Sequence, residues 1–231
     1  MLPEKLTVKE LIYLLAVKNT TGKAPLKHEN YHYGIIGGTL LELTALERME
    51  IQNKRLVVRN TKTTGDKALD FVFEKIKKRH KPRKIKTWVS AFTNHFRKIR
   101  NPIRESLFQK GYLLQEKKKF LGIIPYTNYP ITRQEEKQKV LDYLHDTILQ
   151  KDSYPEKEGT LISMLYLSGV FQTIFPQRKE RRRAKKKIKK QIKEGLISSA
   201  VSESIKEMQA AMIAAVTAAT AATAAAGSSS N

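Results

Sequence analysis

Apolar residues recur every three to four positions along most of the chain, which is the spacing of amphipathic helices. Thr7 and Glu10 have the capping-box spacing before the first apolar stripe, and Gly22 ends that stripe. Asn101-Pro102 is a start signal for a later helix that ends at Gly111. The remaining stripes predict helices over residues 33–46, 67–79, 84–100, 134–150 and 161–175. The last of these is strongly apolar and is predicted to be the buried central helix.

Two segments depart from the helical period. Residues 48–59 contain two short apolar runs that flank Gln52-Asn53-Lys54, which predicts a β-hairpin. Residues 118–132 contain prolines and a glycine that exclude a helix, and we expect a second hairpin or an extended loop there. The apolar residues near the tip of this segment are Phe120, Leu121, Ile123, Ile124 and Tyr126. The pattern as a whole predicts a mainly α protein with short β-hairpins.

The order helix, helix, hairpin at the start of the chain is the outline of a winged helix. A nucleic-acid-binding, winged-helix-like protein is therefore one function class that has to be considered. Neither a recognition-helix pattern nor a platform of aromatic residues interleaved with arginine stands out in the sequence. Nucleic acid is the less favoured partner for that reason.

The charge of the chain narrows the class of partner. Its 231 residues include 44 Lys and Arg against 22 Asp and Glu, for a net charge of +22. An excess of that size repels itself in a compact fold and indicates an anionic partner: nucleic acid, an anionic membrane or an acidic protein. No export signal and no apolar stretch long enough to span a bilayer are found in the sequence.

Candidate catalytic chemistry is missing from the sequence. There is no cysteine, which excludes disulfides, thiolate zinc sites and a cysteine nucleophile. The sequence has no P-loop, no G-x-S-x-G elbow and no G-x-G-x-x-G after a predicted strand. The five histidines lack the His-Glu-x-x-His spacing of a zinc helix. We therefore predict no catalytic residue, no metal ligand and no cofactor, and interpret the chain as a non-enzyme.

Two basic runs and one apolar hairpin support binding instead. The runs extend over residues 75–86 and 178–193, and either can attract anionic lipid or a phosphodiester backbone. The apolar tip of the second hairpin follows Lys117-Lys118-Lys119. An apolar tip beside a cationic stem suits an anchor at a membrane interface. The alternative is a hairpin that packs on the protein's own core or on another subunit.

Four short motifs occur in order along the chain. They are Leu6-Thr7-Val8-Lys9-Glu10, Gly34 through Leu43, Thr64-Gly65-Asp66, and Phe120-Leu121 followed by Tyr129-Pro130-Ile131-Thr132. Together they resemble the Golgi phosphoprotein 3 family, the GPP34 domain. The resemblance covers residues 5–215 as one domain, and the Ala/Thr/Ser-rich residues 216–231 are predicted to be a disordered tail.

The resemblance implies a single-domain helical bundle surrounded by amphipathic helices, without enzymatic activity. It also implies a peripheral membrane protein that binds phosphatidylinositol 4-phosphate or a similar phospholipid through a basic face beside an apolar hairpin. The Trp and the three Arg of the family's lipid site fall here on Lys27, Ile36, Arg97 and Arg100. Two of those four positions are therefore retained. The predicted headgroup-binding residues are Arg97, Arg100, Lys27 and Arg104.

The resemblance also bears on partners and location. Eukaryotic members link Golgi glycosyltransferases to coat proteins, so a membrane-protein cargo is a further implied partner. The Ala/Thr tail is similar to prokaryotic members, and a bacterial or archaeal relative would have no Golgi role. We expect a cytoplasmic protein that associates peripherally with the cytoplasmic face of a membrane, with anionic lipids as its partners. Homo-oligomer formation through residues 118–132 stays open as an alternative use of the hairpin.

Overall fold

The computed structural model describes residues 2–25, 31–168, 170–193, 207 and 210. Its helices are α1 (Val8–Ala16), α2 (Tyr31–Ala45), α3 (Lys67–Lys77), α4 (Ile85–Asn94), α5 (Phe96–Gln109), α6 (Gln134–Gln150), α7 (Glu156–Leu167), α8 (Phe171–Ile174) and α9 (Arg178–Lys193). Its strands are β1 (Met49–Gln52), β2 (Arg55–Val58), β3 (Arg83–Lys84), β4 (Glu116–Phe120) and β5 (Ile124–Asn128). The mainly α fold with short antiparallel hairpins is confirmed. The predicted tail, 216–231, lies outside the described residues.

The centre of the fold is the pair α1 and α2, which pack against each other. The predicted capping box begins α1: the Thr7 hydroxyl accepts from the Glu10 N–H, and the Glu10 carboxylate accepts from the Thr7 N–H. All nine residues of α1 are buried. Because α2 also contacts α3, α4, α5 and α7, the other helices surround this central pair.

This burial removes the basis of the winged-helix interpretation. A winged helix needs a recognition helix with an exposed face that enters a DNA groove. Every residue of α1 is buried, and α2 is buried from Tyr33 through Leu41. The helices that precede the first hairpin are therefore core elements.

Helix α7 approaches α2 closely at Gly34. A Cβ atom at Gly34 would lie 2.9 Å from the Cβ of Ser168, so only glycine permits the approach, as the glycines of α2 predict. Helix α7 ends at Leu167 because Ser168 is extended, with a ψ of 144°, and its hydroxyl donates to the Leu165 carbonyl at 3.2 Å. The prediction of one central helix over 161–175 is therefore wrong: α7 and α8 are separate, α7 packs against the central pair, and α8 packs against α6 and α7.

The helix boundary predicted at Asn101-Pro102 is also wrong. Helices α4 and α5 separate at His95, and α5 continues through Pro102. Proline lacks the N–H that a helix interior uses, so local preference favours a break there. Packing of a buried stripe that runs through the proline outweighs this preference. The stripe consists of Ile99, Ile103 and Leu107.

The first hairpin is confirmed and is extended by a third strand. Strands β1 and β2 are antiparallel, with Gln52 opposite Arg55. Strand β3 pairs antiparallel with β2 and places Lys84 opposite Arg55. The sequence pattern assigned Lys84 to a helix, but this pairing holds it in a strand, and the Ile85 N–H donates to the Lys54 carbonyl at 2.9 Å.

Two charged residues of α1 are buried with partners. The Lys9 ammonium lies 2.5 Å from the Glu42 carboxylate and 3.0 Å from that of Asp66. Burial disfavours the charged ammonium, but the two carboxylates outweigh that effect and hold the pKa of Lys9 above its usual value. The Glu10 carboxylate accepts from Lys110 at 2.7 Å and from Ser106 at 2.7 Å, which joins α1 to the end of α5.

Candidate functional site

Three arginines lie along one face of α5. Arg97, Arg100 and Arg104 are spaced i, i+3 and i+7, on a face that flanks the buried stripe of the same helix. The rise of a helix separates the first from the last by about 10 Å. Arg97 is exposed, whereas Arg100 and Arg104 are half-buried. We call this row of three side chains the arginine face.

Arg104 joins the arginine face to the base of the second hairpin. Its guanidinium carbon lies 3.6 Å from the centroid of the Tyr129 ring, which is the geometry of a guanidinium stacked on an aromatic face. Tyr129 directly follows β5. The stacking fixes the guanidinium plane and leaves its edge free to donate hydrogen bonds to an anion.

Arg100 lies among tyrosines of the central helices. Burial raises the pKa of Tyr31, with the Arg100 charge opposing that rise, and burial raises the pKa of Tyr13 to about 12 against the charges of Arg104 and Arg100. The Nε atom of Arg100 is buried and has no hydrogen-bond partner within the described ranges. An unpaired donor of a cation is costly in isolation.

Residues 17–25, which we call the support loop, fill the space between α1 and the hairpin base. The Tyr13 hydroxyl donates to the Gly22 carbonyl at 3.3 Å, and the Tyr129 N–H donates to the Thr21 carbonyl at 3.1 Å. Gly22 has a φ of +62°, and a Cβ atom there would lie 2.2 Å from the Tyr129 carbonyl oxygen. The contact therefore requires glycine for both conformation and space. It brings the Lys23 ammonium to 5.2 Å from the ring of Tyr126.

A buried lysine anchors the support loop from the other side. The Lys137 ammonium, on α6, donates to the Val17 carbonyl at 2.7 Å and to Asn19 Oδ1 at 2.8 Å. Burial lowers the pKa of Lys137 to about 8. The side chain is still protonated at neutral pH, and its ammonium donates to both oxygen acceptors.

The second hairpin has an exposed apolar tip. Strands β4 and β5 pair from Glu116 opposite Asn128 to Phe120 opposite Ile124, which confirms the predicted hairpin. The relative exposures of the four apolar side chains at the tip are 59% for Phe120, 79% for Leu121, 81% for Ile123 and 60% for Ile124. Leu121 has a φ of +50°, a left-handed conformation that costs a leucine about 1 kcal/mol. We call Phe120 through Ile124 the hairpin tip.

The predicted headgroup residues are partly brought together. Arg97, Arg100 and Arg104 share the arginine face, although only the latter two contact tyrosines. Lys27 lies outside the described residues. Ile36 is completely buried, so its position on α2 contributes core packing.

Three residues beside the arginine face and the hairpin were not predicted from the sequence. Lys23, Tyr31 and Tyr129 come from three separate segments, and no local pattern marks them. Tyr126, predicted to insert with the tip, is half-buried beneath Lys23 instead of standing at the turn.

A second basic surface lies on α9, which packs on the later part of α6. His145 Nε2 is 3.1 Å from a Glu180 carboxylate oxygen, and the Lys187 ammonium donates to the Leu149 carbonyl at 2.9 Å. The rise of α6 puts these contacts about 12–18 Å along the helix from Lys137.

The described part of the chain has neither a metal-binding group nor a membrane-spanning helix. It holds no group of three or more His, Asp or Glu side chains arranged to bind a metal ion. None of its helices has both the length and the hydropathy required to span a bilayer.

The comparisons with known proteins agree with the ordered motifs. The Golgi phosphoprotein 3 (GPP34) family model matches residues 8–208. A VPS74-like protein of Dictyostelium discoideum is 22% identical over 166 residues, which are 65% of this chain and 63% of that protein. The chain therefore matches just under two thirds of the length of this curated relative. Because the family match runs from α1 past the end of α9 and includes the arginine face and both hairpins, the chain belongs to the Golgi phosphoprotein 3 (GPP34) family.

Proposed function

We propose that the protein is a non-catalytic peripheral membrane protein that binds anionic phospholipid headgroups at the arginine face while its hairpin tip enters the bilayer interface. The ligand is phosphatidylinositol 4-phosphate or a similar phospholipid. In this proposal the protein lies on the cytoplasmic face of a membrane. A membrane-protein cargo is a further partner under the same proposal, because family members have such a role.

The observation that carries the proposal is the exposure of the hairpin tip. Four large apolar side chains at the tip are 59–81% exposed, whereas among the other described residues the exposed large apolar side chains are Leu46, Phe108 and Leu114, at 38–48%. Burying one such side chain fully is worth about 1.5–3 kcal/mol, so exposure in water is unfavourable unless a partner covers it. Leu121 and Gly122 both have a positive φ, as a tight hairpin turn requires, so the turn places a leucine where Asn or Gly is usually preferred.

The position of the arginine face supports lipid as that partner. Tyr129, beneath Arg104, is five positions after Ile124 at the tip, which corresponds to a span of about 17 Å in an extended strand. An inclined hairpin with its tip at the acyl boundary therefore leaves Arg104 and Lys23 at the level of the headgroups. Lys117 and Lys119 on β4 lie between these levels, where ammonium groups reach phosphates.

The arginine face suits phosphate more than it suits one particular lipid. Arg100 and Arg104 are held by rings, and a guanidinium binds phosphate through parallel hydrogen bonds. The buried Ile36 contributes no donor. We therefore expect a preference for headgroups with an exposed phosphate over phosphatidylserine, with only moderate discrimination among phosphorylated lipids.

Liposome co-sedimentation at physiological salt tests the proposal. The vesicles contain phosphatidylcholine alone, phosphatidylcholine with phosphatidylserine, or phosphatidylcholine with phosphatidylinositol 4-phosphate at matched charge. The wild type should bind the third composition best and the first least. Arg100→Ala with Arg104→Ala should weaken binding to the third composition at least tenfold. Arg182→Ala with Arg183→Ala removes the same charge from α9 and should change that binding less than threefold.

The hairpin tip is tested in the same assay. Leu121→Asp with Ile123→Asp should abolish sedimentation with every vesicle. Leu46→Asp is the control, because Leu46 is an exposed apolar residue at the end of α2. Unchanged binding of both double variants would overturn the proposal. Loss of a dimer by the tip variant on gel filtration, with lipid binding intact, would assign the hairpin to homo-oligomer formation instead.

A further inference from the structure

A further basic site lies where the three-stranded sheet meets α3 and α4. Its residues precede the arginine face in the sequence. A cleft of about 840 Å³ occurs elsewhere, beside the start of α1, and the buried Lys9 in its wall is paired with Glu42 and Asp66. The cleft beside the sheet has a volume of about 250 Å³. Its apolar floor is formed by Leu56, Val58 and Ile76. We call it the basic cleft.

The rim of the basic cleft carries uncompensated positive charge. Lys77 is paired with Glu74 within α3. Arg79, Lys81 and Arg83 also line the cleft, and none of them has an ion pair with any residue that the structure describes. Three such cations around one concavity repel one another, and a bound anion would relieve that repulsion.

The inner wall contains a buried donor without an acceptor. Trp88, on α4, lines the cleft and is 5% exposed. Its indole Nε1 is shielded from solvent and has no hydrogen-bond partner among the described residues. A buried N–H group normally has a partner, but this one is closed to solvent and therefore to a ligand in the cleft, so Trp88 contributes its ring to the wall. The indole ring itself is fixed by stacking on Phe92, with centroids 5.5 Å apart.

We propose that the basic cleft binds the phosphate group of a small phosphate-bearing ligand. Arg79, Lys81 and Arg83 supply the charge, the apolar floor contacts a short organic group, and the Trp88 ring closes one wall. The ligand is a phosphomonoester of about the size of glycerol phosphate, either free or as a lipid headgroup. This inference does not depend on lipid binding at the arginine face, since the two sites share no residue.

A small ligand fits the basic cleft better than a nucleic acid does. The cleft has a volume of about 250 Å³, which suits one phosphate group with a short organic group and does not suit a duplex backbone. Base readout also uses several exposed polar or aromatic side chains, and among the residues that line the cleft only His80 is of that kind.

Trp88 makes the test direct, because it is the only tryptophan in the chain. The full-length protein is titrated at constant ionic strength with inorganic phosphate and with glycerol phosphate, and the Trp88 emission is recorded. Vesicles of phosphatidylcholine with phosphatidic acid form the lipid arm, and a short DNA duplex forms the nucleic-acid arm. We expect a saturable change in emission with glycerol phosphate, and a weaker one with inorganic phosphate.

Variants separate a site from general charge attraction. Arg79→Ala with Arg83→Ala should raise the dissociation constant at least tenfold. Lys62→Ala with Lys139→Ala removes two exposed cations elsewhere and should leave it within twofold.

Each arm has a defined meaning. A response to glycerol phosphate, or to phosphatidic acid vesicles alone, supports the basic cleft with a free or a lipid ligand respectively, provided that the Arg79 and Arg83 variant loses it. No saturable response to any phosphate probe overturns the proposal, as does a response that the double variant retains. A response to the duplex alone would replace it with nucleic-acid binding. Loss of lipid binding by the arginine-face variant leaves this titration unchanged, so the two proposals fail separately.

Discussion

Helices α5 and α9 are both basic, but they present their charge in different ways. On α5, Arg104 stacks on Tyr129 and Arg100 lies beside Tyr13 and Tyr31, so rings from three other segments fix the cations. Helix α9 has eleven Lys and Arg and one Glu. Burial and the neighbouring Arg181 charge lower the pKa of Lys185, which is the effect of crowding cations without a counter-charge.

The difference indicates that charge count and binding geometry are separate properties. Arg182 and Arg183 on α9 are exposed and contact no ring or carboxylate within the described ranges, so their side chains must be ordered at the moment of binding. Ordering one long side chain costs about 0.5–1.5 kcal/mol. Arg100 and Arg104 are already ordered in the folded protein, so they lose less side-chain freedom on binding. Helix α9 therefore favours diffuse attraction that salt screens, whereas α5 favours recognition of one group.

The largest expected effect concerns Lys137, the buried lysine of α6 that anchors the support loop. The pKa of Lys137 is lowered by burial to about 8, while in the unfolded chain it stays near 10.5. Below pH 8 both states are protonated and the burial penalty is complete. Between pH 8 and 10.5 the unfolded state binds the extra proton, so the free energy of unfolding rises with pH. The rise is up to roughly 3 kcal/mol.

Lys137→Met removes this titration and serves as its own reference. The difference in free energy of unfolding between wild type and variant should change across pH 8–10.5, and urea titrations at five pH values measure it. Parallel curves would mean that Lys137 is not titrating in this range. Only the difference is informative, because the net charge of the whole protein also falls with pH.

The next largest effect is expected at Gly22. Gly22→Ala introduces a Cβ atom 2.2 Å from the Tyr129 carbonyl oxygen at a left-handed φ, which should cost about 2 kcal/mol or more. Gly65→Ala is a matched control, because Gly65 has a φ of +80° and open space around its Cβ position. That variant should lose about 1 kcal/mol. Thermal unfolding of the two variants isolates the contact that holds the support loop against the hairpin base.

Gly22→Ala should also weaken lipid binding at the arginine face. Displacing Tyr129 removes the surface on which Arg104 stacks, so affinity for vesicles with phosphatidylinositol 4-phosphate should fall together with stability. A variant that is less stable but binds lipid normally would show that Arg104 does not need this ring.

The third comparison sets Arg104→Ala against Arg182→Ala. Each variant loses one charge, but Arg104 is pre-ordered and Arg182 is not. Loss of Arg104 should weaken vesicle binding about tenfold, or about 1.4 kcal/mol, and the loss should persist at high salt. Loss of Arg182 should cost about twofold at low salt and nothing at high salt. Equal losses at both salt concentrations would mean that only net charge matters.

Local sequence signals predicted much of the fold. The capping box of Thr7, the bounds of α6 and both hairpins follow from short patterns, because caps, turns and helical stripes act within a few residues. The signals failed where packing opposed them. Pro102 stayed inside α5 because a buried stripe continues through it, and Ser168 divided an apolar segment that reads as one helix.

The candidate site was less predictable than the fold. Arg97, Arg100 and Arg104 share a spacing that a sequence can show, and they lie on one face of α5. The tyrosines that hold them are contributed by α1, α2 and the end of β5. Long-range packing alone brings these rings together, and no pattern within one segment carries that information.

The smallest effect concerns the attachment of α9. Burial lowers the pKa of His145, but Asp146 and Glu180 outweigh it and hold the pKa above its usual value. The stabilisation is therefore complete below about pH 6.5 and disappears as the pH rises through the raised pKa. Glu180→Gln should reduce the free energy of unfolding by about 0.5 kcal/mol at pH 6 and hardly at all at pH 8. Chemical unfolding at the two pH values measures this, with His145→Gln expected to remove the same difference. If Glu180→Gln instead costs as much at pH 8 as at pH 6, α9 is held by packing of Ala184 and Ile188, and its basic surface is more firmly placed than the comparison with α5 assumes.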